Sequence, residues 1–454
     1  MPHPAPAWSS RLTFVLAAVG AAVGLGNIWK FPFMAGTNGG GAFVLVYLLC
    51  AVVVAIPILM AELVLGRQGA QSPPSTMRNL AHSEGRSPRW ALLGWMGAIV
   101  GFLIVSFYSV IAGWAMAYVV KSANGTFTSF DAAASEQTFH QLLADPLALS
   151  LWHGAFMIGN IIVMARGLTR GIEAAVKILM PALFIMLLAM VAYAGYAGAF
   201  AEAVNFLFAF EFSKVSGRTV LMAVGQAFFS IGVAMGLMMV YGAYIPRHIS
   251  ITRSALVIAL TDTLIAVLAG LAIFPLVFGN GLNPAEGPGL IFITLPIAFG
   301  NIPLGNVFGC VFFTLLTFAA FTSSIALLES LVARAAEHPR IGRVTAASVV
   351  GFGAWLVGLG TVFSFNLWEK FYPLGALSGF AESTVYDLID YLTANILMPL
   401  GGMLIAVFAG WYVRKRTLLA ELNPSHSGLF RLWHWLIRIP VPTAIALIFL
   451  ANLT

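Results

Sequence analysis

An all-α integral membrane protein that crosses the bilayer eleven times is the fold this sequence predicts, on three observations. Of its 454 residues 60% are hydrophobic and only 9% charged, with a mean hydropathy of +0.93. A soluble domain carries about 25% charged residues. Apolar runs near the length of roughly 20 residues that a membrane helix needs recur along the whole chain. Two of those runs, the first and the sixth, are broken by glycine where a bilayer-spanning helix should be continuous. In lipid an unwound backbone is tolerated only where protein or a cavity satisfies its polar groups. The breaks therefore imply a polar site at membrane depth.

Taken in order, the spans fall near 11–36 (broken), 41–66, 90–121, 148–165, 171–195, 217–243 (broken), 252–278, 304–333, 344–363, 384–413 and 431–451. The first break lies in FVLAAVGAAVGLGNIWKFPF, Phe14 to Phe33, where Gly20, Gly24 and Gly26 precede Asn27. Each glycine lowers helix stability by about 1 kcal/mol relative to alanine. The second lies in QAFFSIGVAMGLMM, Gln226 to Met239, with Ser230, Gly232 and Gly236. Spans one and six are five apart, so two halves of five spans have opposite orientation, 11–195 and 217–413, after a segment 1–10 and before an eleventh span at 431–451. Paired interruptions in inverted halves point to a midplane binding site. Loops 67–89, 122–147, 196–216 and 279–303 are long enough for short helices, and 279–303 suits a cap over an outer vestibule.

The net charge of +6 is no nucleic-acid signal, because the basic residues sit in short loops beside spans. Arg67, Arg78, Arg86, Arg89, Arg166, Arg170, Arg247, Arg253, Arg334, Arg340, Arg343, Arg414, Lys415 and Arg416 fall on one side. By the positive-inside rule that side is cytoplasmic. This places the N-terminus inside and the C-terminus outside, in a plasma or cell inner membrane. Cys50 and Cys310 lie in apolar runs, which argues against a disulfide or metal framework. Met1 to Ser10 lacks the basic start of a cleavable signal peptide.

Polar groups inside spans are costly and each needs a reason. Glu62, Asp262, Glu329, Asp387 and Asp390 are the acids within or near spans. Asp262 lies well inside the seventh, in ALTDTLIAV, with no Lys or Arg within a helical turn. It is either a protonated structural acid or part of a cation site, and the second is the better reading. Thr322, Ser323 and Ser324 either back-bond to their own helix or offer oxygens to a hard cation. Tyr108 is a phenol at mid-span, either bonded across a helix interface or donating to an anionic ligand. Lys30 and Asp390, at outer span ends, either pair as a gate or never meet.

Trp8-Ser-Ser-Arg11, GLGNIWKFP at 24–32, NGGGAF at 38–43, GQAFFS at 225–230, TDT at 261–263 and FTSSIA at 321–326 together resemble the neurotransmitter:sodium symporter family, its bacterial amino-acid transporters in particular. The likeness runs from Trp8 to the tenth span. It implies two sodium ions. The first would meet the Ala22 carbonyl, Asn27, Ser230, Asp262 and the substrate carboxylate. The second would meet the carbonyls of Gly20, Val23 and Ala319 and the hydroxyls of Thr322 and Ser323. The substrate carboxylate would also meet the backbone of Gly24, Leu25 and Gly26 and the Tyr108 hydroxyl. The amino group would face carbonyls of Ala22, Phe229 and Ser230. The side chain would enter a pocket of Ile104, Phe229, Gly232, Met235, Ser323 and Leu327. Phe229 and Tyr108 would close over it, with Lys30 and Asp390 further out.

A dehydrated zwitterion needs a cation for its carboxylate and acceptors for its ammonium, and Gly232 with flexible Met235 leaves room. The expectation is sodium-coupled import of a large apolar or aromatic L-amino acid by alternating access. Asp262 would stand in for chloride, so no chloride requirement is expected. The resemblance also implies a basic residue before the tryptophan, paired with an acid at the inner end of the eighth span. Here Ala5, Pro6 and Ala7 precede Trp8, and Glu337 is the candidate acid, so this inner gate departs from the family pattern. The alternatives are a proton-coupled transporter of the same fold, with Asp262 as proton carrier, or an amino-acid sensor that moves nothing. No His/Cys cluster or nucleophile–base arrangement points to an enzyme. The oligomeric state is not legible.

Overall fold

The computed structural model describes residues 7–284, 289–422 and 427–453. Ala5 and Pro6, most of the 1–10 segment and part of the 279–303 loop lie outside them. Among the described residues the architecture is helical throughout, with one isolated extended bridge between Gly40 and Phe210. Among the described residues, nine helices are long and apolar enough to cross a membrane: Gly41–Gly69, Pro88–Ala123, Pro146–Ala165, Leu168–Ala197, Ile251–Gly279, Gly305–Ala336, Arg343–Ser364, Val385–Tyr412 and Gly428–Ala451. The pair Arg11–Ala22 and Gly26–Thr37, bent by 64°, adds a tenth. Gly217–Ser230 and Leu237–Ala243 are each too short to cross alone. The eleventh crossing rests on reading them as two halves of one span.

Helix starts follow local chemistry. Ser10 accepts from the Thr13 amide, and Asp145 accepts from the amides of Leu147 and Ala148 ahead of the fourth span. Ser216 and Thr219 form a reciprocal capping box at the sixth. Each supplies an acceptor to amides that have no partner within the helix.

Burial locates the centre of the molecule. The most apolar stretches of the third and eighth spans are 78% and 72% buried, against 28% in both the fifth and the eleventh. The third and eighth therefore form the inner wall. They approach closely at Gly101, where an added Cβ would stand 2.8 Å from the Leu327 carbonyl oxygen. The two broken spans lie against this wall, the second span is 67% buried, and the fourth, fifth, ninth and eleventh are the most exposed.

The long loops carry the short helices their lengths allow: Pro73–Ser83 at one end, and Ala132–Ala144, Phe200–Phe208 and Leu295–Gly300 at the other. A further helix, Lys415–Leu422, follows the tenth span. It is tied down by ions. Arg67 donates from Nε to Glu421 Oε2 at 2.7 Å and from Nη1 to the Ile249 carbonyl at 2.7 Å. Glu84 accepts from Arg414 Nε at 2.5 Å and from the Thr417 hydroxyl at 2.9 Å.

Candidate ion and substrate site

The first helix stops at Ala22 and resumes as a π turn at Gly26–Lys30. The unwound stretch 23–25 turns its backbone toward the third span, where the Leu25 amide donates to the Tyr108 hydroxyl at 3.0 Å. Gly24 has to be glycine. A Cβ there would stand 2.6 Å from the Tyr108 oxygen and 2.9 Å from Ser323 Oγ.

The sixth span breaks over 231–236, with positive φ at Gly232 (70°), Ala234 (67°) and Gly236 (75°). Ala234 is the unexpected member, since a Cβ in that region costs roughly 1–2 kcal/mol. Its amide donates at 2.5 Å to Oε1 of Glu62, a wholly buried side chain on the second span. This hydrogen bond holds the strained residue in place.

Between the two breaks lies a dry polar cluster. Asn27, Ser230 and Asp262 are each 0–1% exposed. The Asn27 amide nitrogen donates to Asp262 Oδ1 at 2.7 Å and to Ser230 Oγ at 2.9 Å, and Ser230 Oγ donates to Asp262 Oδ2 at 2.6 Å. Asn27 Oδ1 accepts from the Gly24 amide at 3.2 Å. No basic side chain joins Asp262 in an ion pair among the described residues. A buried carboxylate without a cationic partner, beside a hydroxyl and a side-chain amide that can turn an oxygen toward it, suits a small hard cation.

A second convergence of oxygens joins the first and eighth spans. Ser323 Oγ lies 3.2 Å from the Gly20 carbonyl oxygen and 3.0 Å from that of Val23. Thr322 Oγ1 lies 3.1 Å from the Ala319 carbonyl oxygen. Ser324 faces elsewhere, donating to Asn160 at 2.7 Å.

Both clusters border one small chamber of about 30 Å³. Ala22, Gly24, Leu25, Gly26, Ile104, Tyr108, Phe229, Gly232, Met235, Ser323 and Leu327 line it, and Ala21, Asn27 and Leu237 complete the wall. Above it opens a vestibule of about 280 Å³ that Phe229, Lys30, Tyr386 and Asp390 share. Lys30 Nζ sits 4.8 Å from the centre of the Phe229 ring. Among the described residues no ion pair joins Lys30 to Asp390. Asp387 does the ordinary work of a helix cap with Thr384.

The opposite end is shut. Trp8 is 2% exposed, and its Nε1 and backbone N–H donate to the carbonyls of Tyr241 and Tyr244, each at 3.0 Å. Ser9 donates through its amide and hydroxyl to Glu173 of the fifth span, at 2.8 Å and 2.7 Å. Tyr244 donates to Glu329 at 2.8 Å, and Arg343 forks onto the same carboxylate at 2.8 Å and 2.5 Å. Glu337 does not meet Trp8. It accepts from the Ser72 amide at 2.7 Å and the Ser75 hydroxyl at 2.6 Å, fixing the Pro73–Ser83 helix. The acid that holds the N-terminal segment is Glu173, which the motifs do not mark. The intramembrane position of Glu62 and Glu329 was a signal for both, but their partners come from distant spans.

Two broken helices around a dry carboxylate, one end open and the other shut, define a membrane transporter of a small solute. The profile of the sodium:neurotransmitter symporter family matches residues 5–141 and 146–371, and the chain belongs to that family. It is 36% identical over 98% of its length to the sodium-dependent transporter YhdH of Bacillus subtilis, covering 96% of that protein. It is 32% identical to a sodium-dependent transporter of Haemophilus influenzae, covering 98% of each chain. The crystal structure of MhsT in complex with L-phenylalanine superposes with a TM-score of 0.88 at 38% identity, over 98% of this chain and 99% of that one.

Proposed function

We propose that this chain is a symporter that couples sodium to the uptake of a large apolar or aromatic L-amino acid by alternating access, without chloride. The carrying observation is the Asn27–Ser230–Asp262 cluster, dry and without a basic partner, at the point where both helices are unwound. Sodium there balances Asp262 and offers its remaining valence to a carboxylate. Each ligand then raises the affinity for the other by the same factor. The Leu25 and Gly26 backbone and the Tyr108 hydroxyl orient that carboxylate. The second ion takes the oxygens of Gly20, Val23, Ala319, Thr322 and Ser323, joining the first span to the eighth. Within the two inverted five-helix repeats, 11–195 and 217–413, a bundle carrying the broken spans moves against a scaffold of other spans about this pair.

The substrate class follows from the wall of Ile104, Phe229, Met235, Leu237 and Leu327, apolar beneath an aromatic lid. The complex of MhsT with L-phenylalanine supports the same class. A chamber of about 30 Å³ is much smaller than an aromatic side chain, so binding requires Met235 and Leu237 to repack, as unbranched methionine does readily.

Purified protein in liposomes tests the reading. With an inward sodium gradient, labelled leucine, phenylalanine and tryptophan should accumulate, and glycine and alanine should not. Potassium in place of sodium should abolish uptake, and gluconate in place of chloride should leave it unchanged. Preference for glycine would overturn the substrate class, and uptake driven by a proton gradient alone would overturn the coupling ion.

A further inference from the structure

The last two helices, Ser427–Arg438 and Pro440–Leu453, enclose a feature that transport does not use. The first has three distinct faces. Phe430, Trp433 and Ile437 are buried, and Trp433 Nε1 donates to the Pro57 carbonyl at 3.1 Å. Leu429, Leu432 and Ile439 are 53–54% exposed and form a stripe suited to lipid tails. The third face, Arg431, His434, Trp435 and Arg438, lines a cavity of about 320 Å³ together with Phe430, Ile439, Trp411 and Lys415.

The lining holds three permanent cations, one imidazole and no acid. Among the described residues, Lys415 and Arg431 take part in no ion pair, and the neighbouring acids are already engaged, Glu421 by Arg67 and Glu84 by Arg414. Arg438 lies 4.0 Å above the Trp411 ring and, among the described residues, makes no ion pair. The segment 427–453 contains no Asp or Glu. Two exposed tryptophans, Trp411 and Trp435, mark the depth of a membrane–water interface.

We propose that this cavity binds the phosphate headgroup of an anionic phospholipid, with the acyl chains lying along Leu429, Leu432 and Ile439. Lys415, Arg431 and Arg438 line one volume of headgroup size, and the adjoining stripe is apolar. A headgroup with a tail satisfies both, and a free anion satisfies only the first. The cavity is on the end of the molecule where Glu84 and Arg414 meet, which is the cytoplasmic leaflet if the arginine asymmetry sets the orientation. The proposal depends on that membrane placement and not on which solute is carried.

Native mass spectrometry of the full-length protein, titrated with phosphatidylglycerol or phosphatidylcholine, tests it. Wild type should retain phosphatidylglycerol preferentially. The K415Q/R431Q variant should bind it about 25-fold less tightly, at about fivefold per cation near the surface. The R166Q/R170Q variant, which removes the same charge from another loop, should behave as wild type. Retained sodium-dependent amino-acid binding in each variant would show that it is folded. Equal retention of the two lipids, equal losses in both variants, or competition by millimolar inorganic phosphate would each overturn the proposal.

Discussion

Gly24 shows how little freedom the site allows a single residue. Its missing side chain is what lets the Tyr108 hydroxyl and Ser323 both reach the first break. Gly24→Ala should push both oxygens aside and lower sodium-dependent substrate binding by at least about tenfold, equivalent to about 1.4 kcal/mol. Gly225→Ala is the matched control. It lies in the Gly217–Ser230 helix with nothing within 4 Å of the added carbon. There alanine should leave binding intact and raise thermal stability slightly through helix propensity. A scintillation proximity assay on both variants checks the pair. Loss of binding in Gly225→Ala with Gly24→Ala unaffected would move the site away from the first break.

The second break is a property of an element, because two spans cooperate to hold it. Three left-handed residues in five would be costly without a partner, and Glu62 supplies one through the Ala234 amide. Ala234→Gly should therefore raise the apparent melting temperature by relieving about 1 kcal/mol of strain. Glu62→Ala should lower it, since a buried amide left without an acceptor costs about 1–3 kcal/mol. Thermal unfolding of the purified protein followed by tryptophan fluorescence reads both signs, and a stabilised Glu62→Ala would contradict this account. Both breaks are legible in the sequence because glycine and mid-span asparagine have a direct backbone meaning. The position of Ala234 is not, since nothing in VAMG distinguishes it from helical alanine. Helix limits differ from the expected spans by a turn or less, as where the Asp145 cap starts the fourth helix ahead of its apolar run. The inner closure is where motif reading goes astray. Glu337 stands at the right height in the eighth span, but its side chain faces Ser72 and Ser75, a facing that no spacing along one helix reveals. Glu173, in the fifth span, carries no motif that links it to Ser9.

At the scale of the molecule, the shut end joins the N-terminal segment to the fifth and sixth spans, and the sixth to the eighth and ninth. Removing one tie should tilt the balance toward the inward-open form. Glu173→Ala deletes both acceptors of Ser9. It should raise the rate at which a maleimide labels a cysteine placed at Ala243, in a background where Cys50 and Cys310 are replaced by serine, by about 5–30-fold. Two charge-assisted bonds of this kind contribute that order of magnitude to a conformational equilibrium. Saturating sodium should reverse the effect if the ions favour the opposite form, and an unchanged labelling rate would exclude Glu173 from the closure. The two doors are made of different materials. Toward the vestibule there is one phenyl ring with a lone ammonium above it, which thermal motion can lift aside. Toward the far end there is a forked guanidinium, a phenol and a wholly buried carboxylate locked together, and that carboxylate must be rehydrated before anything passes. If the proposed alternating access operates, a machine with one light door and one heavy one should rest with the light door toward solvent, and the heavy one should set its pace.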